Sequence, residues 1–349
     1  MAEINLKVSS SPHIYTAESI PRIMVAVVLS LVPAAAGAVY FFGLHAAMLI
    51  ALAAGSAVGV EALCQKVRGV PVKINDFSAA VTGVLLAFNL PANVPWWMAI
   101  VGSAFAIVVV KELFGGLGYN IWNPALAARA FLLASWPTSM ISSTDFPAPR
   151  DGTLSGLQLD SISQSTPLQF IKNVISPLLD KPEEATRAQL EAVRGALEQM
   201  QGLDYVLSLF WGRVGGVIGE TSVALLLIGA IYLLIRGYID WRVPLGYIGS
   251  VAVLAWVFAG PEGYFTGNAA VHVFSGGLIL GAFFMATDMV TTPVTRKGKW
   301  IFALGCGVLT MLIRIKGGYP EGVSYAILLM NTATPLIDSY TRPKIYGGS

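Results

Sequence analysis

Of the 349 residues, 55% are hydrophobic and only 12% are charged, about half the roughly 25% charge of an ordinary soluble domain, and the mean hydropathy is +0.67. Lys and Arg (22) nearly balance Asp and Glu (20), leaving no basic surplus for nucleic-acid phosphates. The only cysteines, Cys64 and Cys306, lie in apolar stretches, which excludes a disulfide scaffold and a self-contained iron–sulfur protein with a full thiolate set. What remains is an all-α polytopic membrane protein.

Residues 1–20 are mixed and polar, and the long apolar run that follows has no clear cleavage site, so no cleaved signal peptide is expected. The apolar runs then predict ten spans, near 23–43, 45–64, 77–92, 96–114, 121–137, 217–236, 243–260, 270–288, 299–315 and 321–338. Span three is short and interrupted by Pro91 and Pro95, and span eight carries Gly276-Gly277 in its first turns. Short or glycine-interrupted segments in corresponding positions point to discontinuous helices.

Basic residues fix the expected orientation. With a cytoplasmic N-terminus, the cytoplasmic side receives Lys7, Arg22, Lys66, Arg68, Lys73, Lys111, Arg236, Arg242, Arg296, Lys297, Lys299, Arg342 and Lys344, while the short outer connections hold only Arg314 and Lys316. Five parts follow: a cytoplasmic segment 1–22, a membrane half 23–137, an external loop 138–216, a second half 217–338 and a cytoplasmic tail 339–349. An odd number of spans in each half forces opposite orientations, so the expected architecture is two inverted five-helix halves. Phe77-Ser78-Ala79-Ala80 opening span three and Phe274-Ser275-Gly276-Gly277 opening span eight are a short trace of that repeat.

In the external loop, Asp180-Lys181-Pro182-Glu183-Glu184 reads as a helix start, with Asp180 as N-cap and Pro182 in the first turn. Ala185, Leu190, Val193 and Leu197 then continue at helical spacing to Met200, and Gly202 stops the helix, which packs one face on its surroundings. Upstream, Asp160 to Leu168 is rich in hydroxyl residues and reads as a turn-rich loop.

Several stretches resemble the D subunit of Rnf-type ion-translocating ferredoxin:NAD oxidoreductases and the related B subunit of the sodium-pumping NADH:quinone reductase. They are Ser11-Pro12-His13, the run from Lys111-Glu112 through Gly115-Gly116 to Asn123-Pro124-Ala125, and Gly215 to Ser222. Ala286-Thr287-Asp288, Gly317 to Val323, Leu329-Met330-Asn331 and Pro335 to Asp338 complete the set. The resemblance implies FMN joined through a phosphoester to a threonine, in a motif like Ser-Gly-Ala-Thr preceded by an acid. The matching stretch is Ser163-Gln164-Ser165-Thr166 with Asp160 upstream, so Thr166 is the expected attachment point, and Gln164 and Ser165 depart from the motif. Further implications are a noncovalent riboflavin on this subunit or its relative, a flavin transferase acting on the outer side, and partner subunits carrying iron–sulfur and flavin centres. A bacterial inner-membrane, lipid-embedded electron carrier coupled to Na+ or H+ follows, with no nucleic-acid partner and no catalytic residue of its own.

Arg129 falls inside span five, where a charge costs about 2.5–3.5 kcal/mol on insertion scales and needs a partner. It reads either as a flavin or ion-path residue, grouped with Asn120, Trp122 and Asn123, or as half of a salt bridge, for example to Glu61. Asp76 reads as a helix cap and Asp288 as a cap, interface carboxylate or oxygen ligand for Na+; Glu220 suits a helix start. His13, His45 and His272 have no metal-ligand spacing, so no transition-metal site is expected. Two rival readings keep the fold but not the redox role: a passive channel or transporter with the same inverted repeat, and a non-redox assembly scaffold.

Overall fold

The computed structural model describes residues 18–141, 166–180, 187–220, 222–260, 263–319 and 321–343. Helices dominate; the described residues contain no strand, only an isolated antiparallel bridge between Pro91 and Val217. Three helices are long and apolar enough to cross a membrane by length and composition: Ile20–Phe42, Leu44–Val67 and Arg296–Lys316. Their faces invert the soluble pattern. Ile20–Phe42 turns Ala26, Ser30, Ala34, Gly37 and Ala38 inward and presents Leu29, Val32 and Tyr40 outward. Small residues inside let helices approach closely, and bulky apolar residues outside suit lipid. At Gly229 the approach is so close that a Cβ would strike the Ser30 carbonyl, so Val223–Ile235 packs backbone to backbone on Ile20–Phe42.

The last span, Val323–Thr341, is as long as expected, but several other apolar helices are shorter than the sequence predicts. Ser78–Phe88 and Pro124–Ser135 have 11 and 12 residues, about 16–18 Å at 1.5 Å per residue, against a hydrocarbon core of about 30 Å. The chain after Ser78–Phe88 is not loose: Leu90, Ala92 and Val94 are buried, so this irregular backbone before helix Trp96–Phe105 lies within protein, where a membrane protein tolerates it. Span six begins later than expected. Val217 bridges Pro91 and residues 217–220 turn, Glu220 N–H donating to Val217 O at 3.2 Å, while Ile218 N–H donates to Leu90 O at 3.0 Å and Gly219 N–H to Phe88 O at 2.9 Å; the helix starts only at Val223, capped by Ser222. Span eight is broken: Ala269–Phe274 ends at Ser275, Gly276 and Gly277 both take left-handed φ (70° and 66°), and helix resumes at Leu278. Two successive left-handed residues suit glycine far better than any residue with a Cβ.

In the long loop, helix Arg187–Gln201 packs Val193, Ala196 and Met200 against Phe170, Ile175, Leu209 and Val271. Asp180 is the last residue of the preceding helix Ser176–Asp180, and the rest of the expected helix start, 181–184, lies outside the described residues. Cys306 is buried, as expected of a small hydrophobe, but Cys64 is only partly so.

At the opposite end of the bundle, Asp240 in the connection before Arg242–Phe258 accepts from Lys299 Nζ at 3.0 Å and from Arg242 at 3.1 Å. Burial pushes the Asp240 carboxyl up, but the Arg242 backbone N–H, Lys299 and the Arg242 side chain outweigh it and hold it below the usual 3.8. A lowered folded-state value stabilises above the unfolded value and is lost as pH falls through the folded one. Asp240→Asn is therefore expected to lower the thermal midpoint slightly at neutral pH, by well under about 1 kcal/mol for so exposed a network. The gap to wild type should close as pH drops below about 3.8; a gap unchanged between pH 7 and pH 3 would contradict this.

Candidate functional site

Thr166 stands where the described chain resumes, immediately before helix Pro167–Phe170, which runs on through a π-helical stretch to Asp180. Its backbone is extended (φ −64°, ψ 153°) and its side chain caps the helix. Thr166 Oγ1 accepts from Gln169 N–H at 3.3 Å, and Gln169 Oε1 accepts from Thr166 N–H at 3.3 Å, a reciprocal capping box. Pro167 at the first helical position has the φ that a helix start needs. Gln169 Nε2 donates to Ile141 O at 3.1 Å, tying the helix start to the end of the first half. Thr166 is 2% exposed. Ser163 and Asp160, the other motif residues, lie outside the described residues.

Two cavities flank this helix start. The smaller, about 30 Å³, is lined by Gln169, Arg129, Tyr319, Glu321, Ser324 and Tyr325 among others. Arg129 does not pair with Glu61. Its guanidinium meets the Glu321 carboxylate and donates to Ser324 Oγ at 2.5 Å, while Glu61 is taken by Lys111 at 2.5 Å. The physical reason is position: Arg129 lies in the second turn of Pro124–Ser135, nearest the loop before Val323–Thr341, whereas Lys111 ends the neighbouring helical run beside Leu44–Val67. Tyr319 and Tyr325 stack at 5.4 Å. The larger cavity, about 440 Å³, is lined by Leu168, Lys172, Asn268, His272 and Arg314 among others. Burial holds the Lys172 ammonium below its usual range. Lys172 donates to the carbonyls of Gly317 and Tyr319 (2.9 Å for the latter), closing off the end of Arg296–Lys316.

Arg314 crosses the break in span eight. It donates to His272 O at 2.5 Å, Ser275 O at 3.0 Å and Glu321 O at 3.0 Å, so a fixed cation satisfies carbonyls that the interrupted helix releases. Glu220 lies on the other side of the break, its Oε2 3.2 Å from where a Cβ on Gly277 would stand. It sits two residues before the Ser222 cap, and not in the first turn of a helix.

The remaining predicted site residues cluster elsewhere. Asn123 caps Pro124–Ser135, accepting from Ala125 N–H at 3.1 Å and Leu126 N–H at 3.3 Å, and donates to Met285 O at 3.3 Å. Asn120 donates to Trp122 O at 3.0 Å, and Trp122 Nε1 donates to Thr332 Oγ1 at 2.8 Å. Asn120 and Asn123 line a third cavity, about 110 Å³, with Lys111, Ser78, Thr287 and Asp288. Six residues of helix, about 9 Å of rise, separate Asn123 from Arg129, so of these residues only Arg129 lines a cavity with Gln169 of the Thr166 capping box. Asp76 ends a 3-10 turn and is not the N-cap of Ser78–Phe88, which is Phe77, but its Oδ1 accepts from Ser78 N–H at 2.9 Å and Ser78 Oγ at 2.7 Å and so serves the helix start. Asp288 caps its own turn, accepting from Thr291 Oγ1 at 3.2 Å. Sequence reasoning missed Gln169, Lys172, Ser324 and Glu321; the last lies in the Gly317 to Val323 stretch, but nothing local pairs it with a residue 192 positions away.

The donor set around Thr166 fits a phosphorylated cofactor. A phosphate on an N-cap hydroxyl meets the N–H groups and positive dipole end of a helix start, and Arg129, Lys172 and Arg314 line the adjoining cavities. The smaller cavity is too tight for a fused ring system, whereas the larger is spacious enough.

Comparison with known proteins gives a consistent picture. The family model described as the NQR2, RnfD, RnfE family matches residues 7–347. The D subunit of the Na+-translocating ferredoxin:NAD+ oxidoreductase complex of Acetobacterium woodii is 47% identical over 99% of this chain and 97% of its own length. The proton-translocating counterpart of Clostridium ljungdahlii is 44% identical over 99% of each. The D subunit of the ion-translocating oxidoreductase complex of Stutzerimonas stutzeri is 40% identical over 94% of this chain and 92% of its own.

Proposed function

The chain belongs to the NQR2, RnfD, RnfE family, and from that premise we propose that it is the membrane-embedded, electron-carrying subunit of an ion-translocating ferredoxin:NAD+ oxidoreductase complex, with FMN on Thr166. Thr166 itself carries the reading: a hydroxyl capping a helix whose first residues line one cavity with Arg129 and another with Lys172 and Arg314. When bound, the flavin supplies one-electron transfer. The chain's own residues hold and orient it: N–H groups of the helix start receive the phosphate, and the guanidinium and ammonium groups offset its charge. Ferredoxin and NAD+ act on partner subunits, and Na+ or H+ crosses in part through this one.

We read the membrane portion as ten spans in two inverted halves, with both termini cytoplasmic and the Thr166 segment outside. Matching details in the two halves support this. Lys111 near the end of the fourth span donates to Ser78 Oγ at 2.6 Å, and Arg314 near the end of the ninth donates to Ser275 O at 3.0 Å. Each serine follows a phenylalanine at the interrupted start of spans three and eight, and Gly115-Gly116 and Gly317-Gly318 follow the two basic residues.

In-gel flavin fluorescence of the denatured chain, expressed with a flavin transferase, tests the cofactor. Fluorescence is expected in the wild type and absent in Thr166→Val, whose level of membrane insertion should match wild type. A dark wild-type band, with another flavoprotein labelled in the same cells, would overturn the reading and favour the channel or scaffold.

A further inference from the structure

Three buried polar atoms at the break in span eight have no hydrogen-bond partner: Glu220 Oε2, Ser275 Oγ and His272 Nδ1. Ser275 and His272 are 5% and 6% exposed. Buried polar groups are as a rule hydrogen-bonded, so three such atoms at one discontinuity call for an explanation. His272 lines the 440 Å³ cavity beside the Thr166 helix, so the cluster reaches that cavity. Glu220 is pinned in place, because Gly219 before it bonds to Phe88 and Val217 N–H donates to Glu220 Oε1 at 3.3 Å.

Two cations face Glu220. Arg129 and Arg314 act on it electrostatically; Arg129 is in turn paired with Glu321, and His272 and Lys172 stand at the cavity wall. The same two guanidiniums line the two cavities that flank Thr166. A charge arriving on either side of Thr166 therefore acts on Arg129 or Arg314, and through them on Glu220. A hard metal cation is disfavoured as the missing partner: it would need several oxygens, and the carbonyls of His272, Ser275 and Glu321 are already held by Arg314.

We infer that Glu220, with Ser275 and His272, is a proton-exchange site that compensates the charge of the electron carried at Thr166. The inference rests on the flavin reading above. When one electron from the donor subunits adds its negative charge on the Thr166 side, one proton leaves water of the cavity that His272 lines, and an O–H bond forms at Glu220 Oε2. When the electron leaves for the acceptor subunit, that bond breaks and the proton returns to the cavity. Glu220 is a positioning and charge-compensating residue, not one that touches the reacting ring.

The test is a redox titration of the assembled complex between pH 6 and pH 9, with the Thr166 flavin isolated by subtracting the spectrum of the Thr166→Val complex. The wild-type midpoint is expected to fall with pH, up to about 59 mV per unit, the one-electron equivalent of a tenfold change. Glu220→Gln should flatten that slope by at least half, and Glu220→Asp should restore it in part. Equal slopes in wild type and Glu220→Gln would overturn the inference while leaving the flavin in place. A zero difference spectrum would instead sink the flavin reading and the inference with it. If Glu220→Gln fails to assemble, the reduced-minus-oxidised infrared spectrum of the wild-type complex decides: a carboxylic-acid band that appears on reduction and shifts in D2O is expected, and its absence overturns the proposal.

Discussion

Lys111→Met is expected to destabilise the chain by about 3–5 kcal/mol, the loss typical when one partner of a buried ion pair is removed. Lys111 and Glu61 are each only 2% exposed at the side chain and meet at 2.5 Å. Lys111 also donates to Ser78 Oγ, which donates onward to Asp76, so one ammonium holds three elements together. Removing it strands a carboxylate whose second oxygen already lacks a partner. Glu61→Gln alone should be milder, because a neutral amide can still accept from the ammonium. The double variant Glu61→Gln with Lys111→Met should recover much of the loss, since neither charge is then left buried. Thermal inactivation midpoints of the purified protein measure all three. A Lys111→Met protein as stable as wild type would show that the pair contributes nothing.

The second large effect is expected at Arg129. Arg129→Ala should cost about 3 kcal/mol, because it removes a guanidinium that binds both Glu321 and Ser324 and leaves the Glu321 carboxylate 13% exposed without its cation. Arg129→Lys should restore only part, since an ammonium lacks the planar fork that reaches two acceptors at once. The covalent flavin of the Thr166 reading should still attach in Arg129→Ala, but with a visible spectrum shifted from wild type as the neighbouring charge goes. An unchanged midpoint together with an unchanged spectrum would show that Arg129 neither packs nor senses the cofactor.

The discontinuities in spans three and eight are legible in the sequence because glycine and proline act locally. Gly276-Gly277 announces a left-handed turn wherever it falls, and Pro91 and Pro95 end a helix whatever surrounds them. Thr166 is legible only through resemblance, since hydroxyl-rich composition alone reads as loop; that it caps a helix shows only with Pro167 and Gln169 in place. The ion pairing is not legible. Glu61 and Lys111 are buried and Arg129 and Glu321 partly so, their partners lie 50 and 192 residues apart, and sequence spacing offers Arg129 the wrong carboxylate. Span six reads too early from the sequence because Val217 and Ile218 are as apolar as the helix that follows, although their backbone pairs with Phe88 and Leu90.

By itself, then, the chain's composition determined that the protein lives among lipids, and its local chemistry determined where helices begin and break. Those properties depend on each residue and its near neighbours. Only the tertiary structure decided which charge meets which, that Arg314 fills the broken helix, and that Glu220 is left with one oxygen unpaired. The reason is that hydrophobic burial is non-directional and additive along the sequence, whereas a buried ion pair needs two particular atoms within a few ångströms, a condition only the folded chain sets.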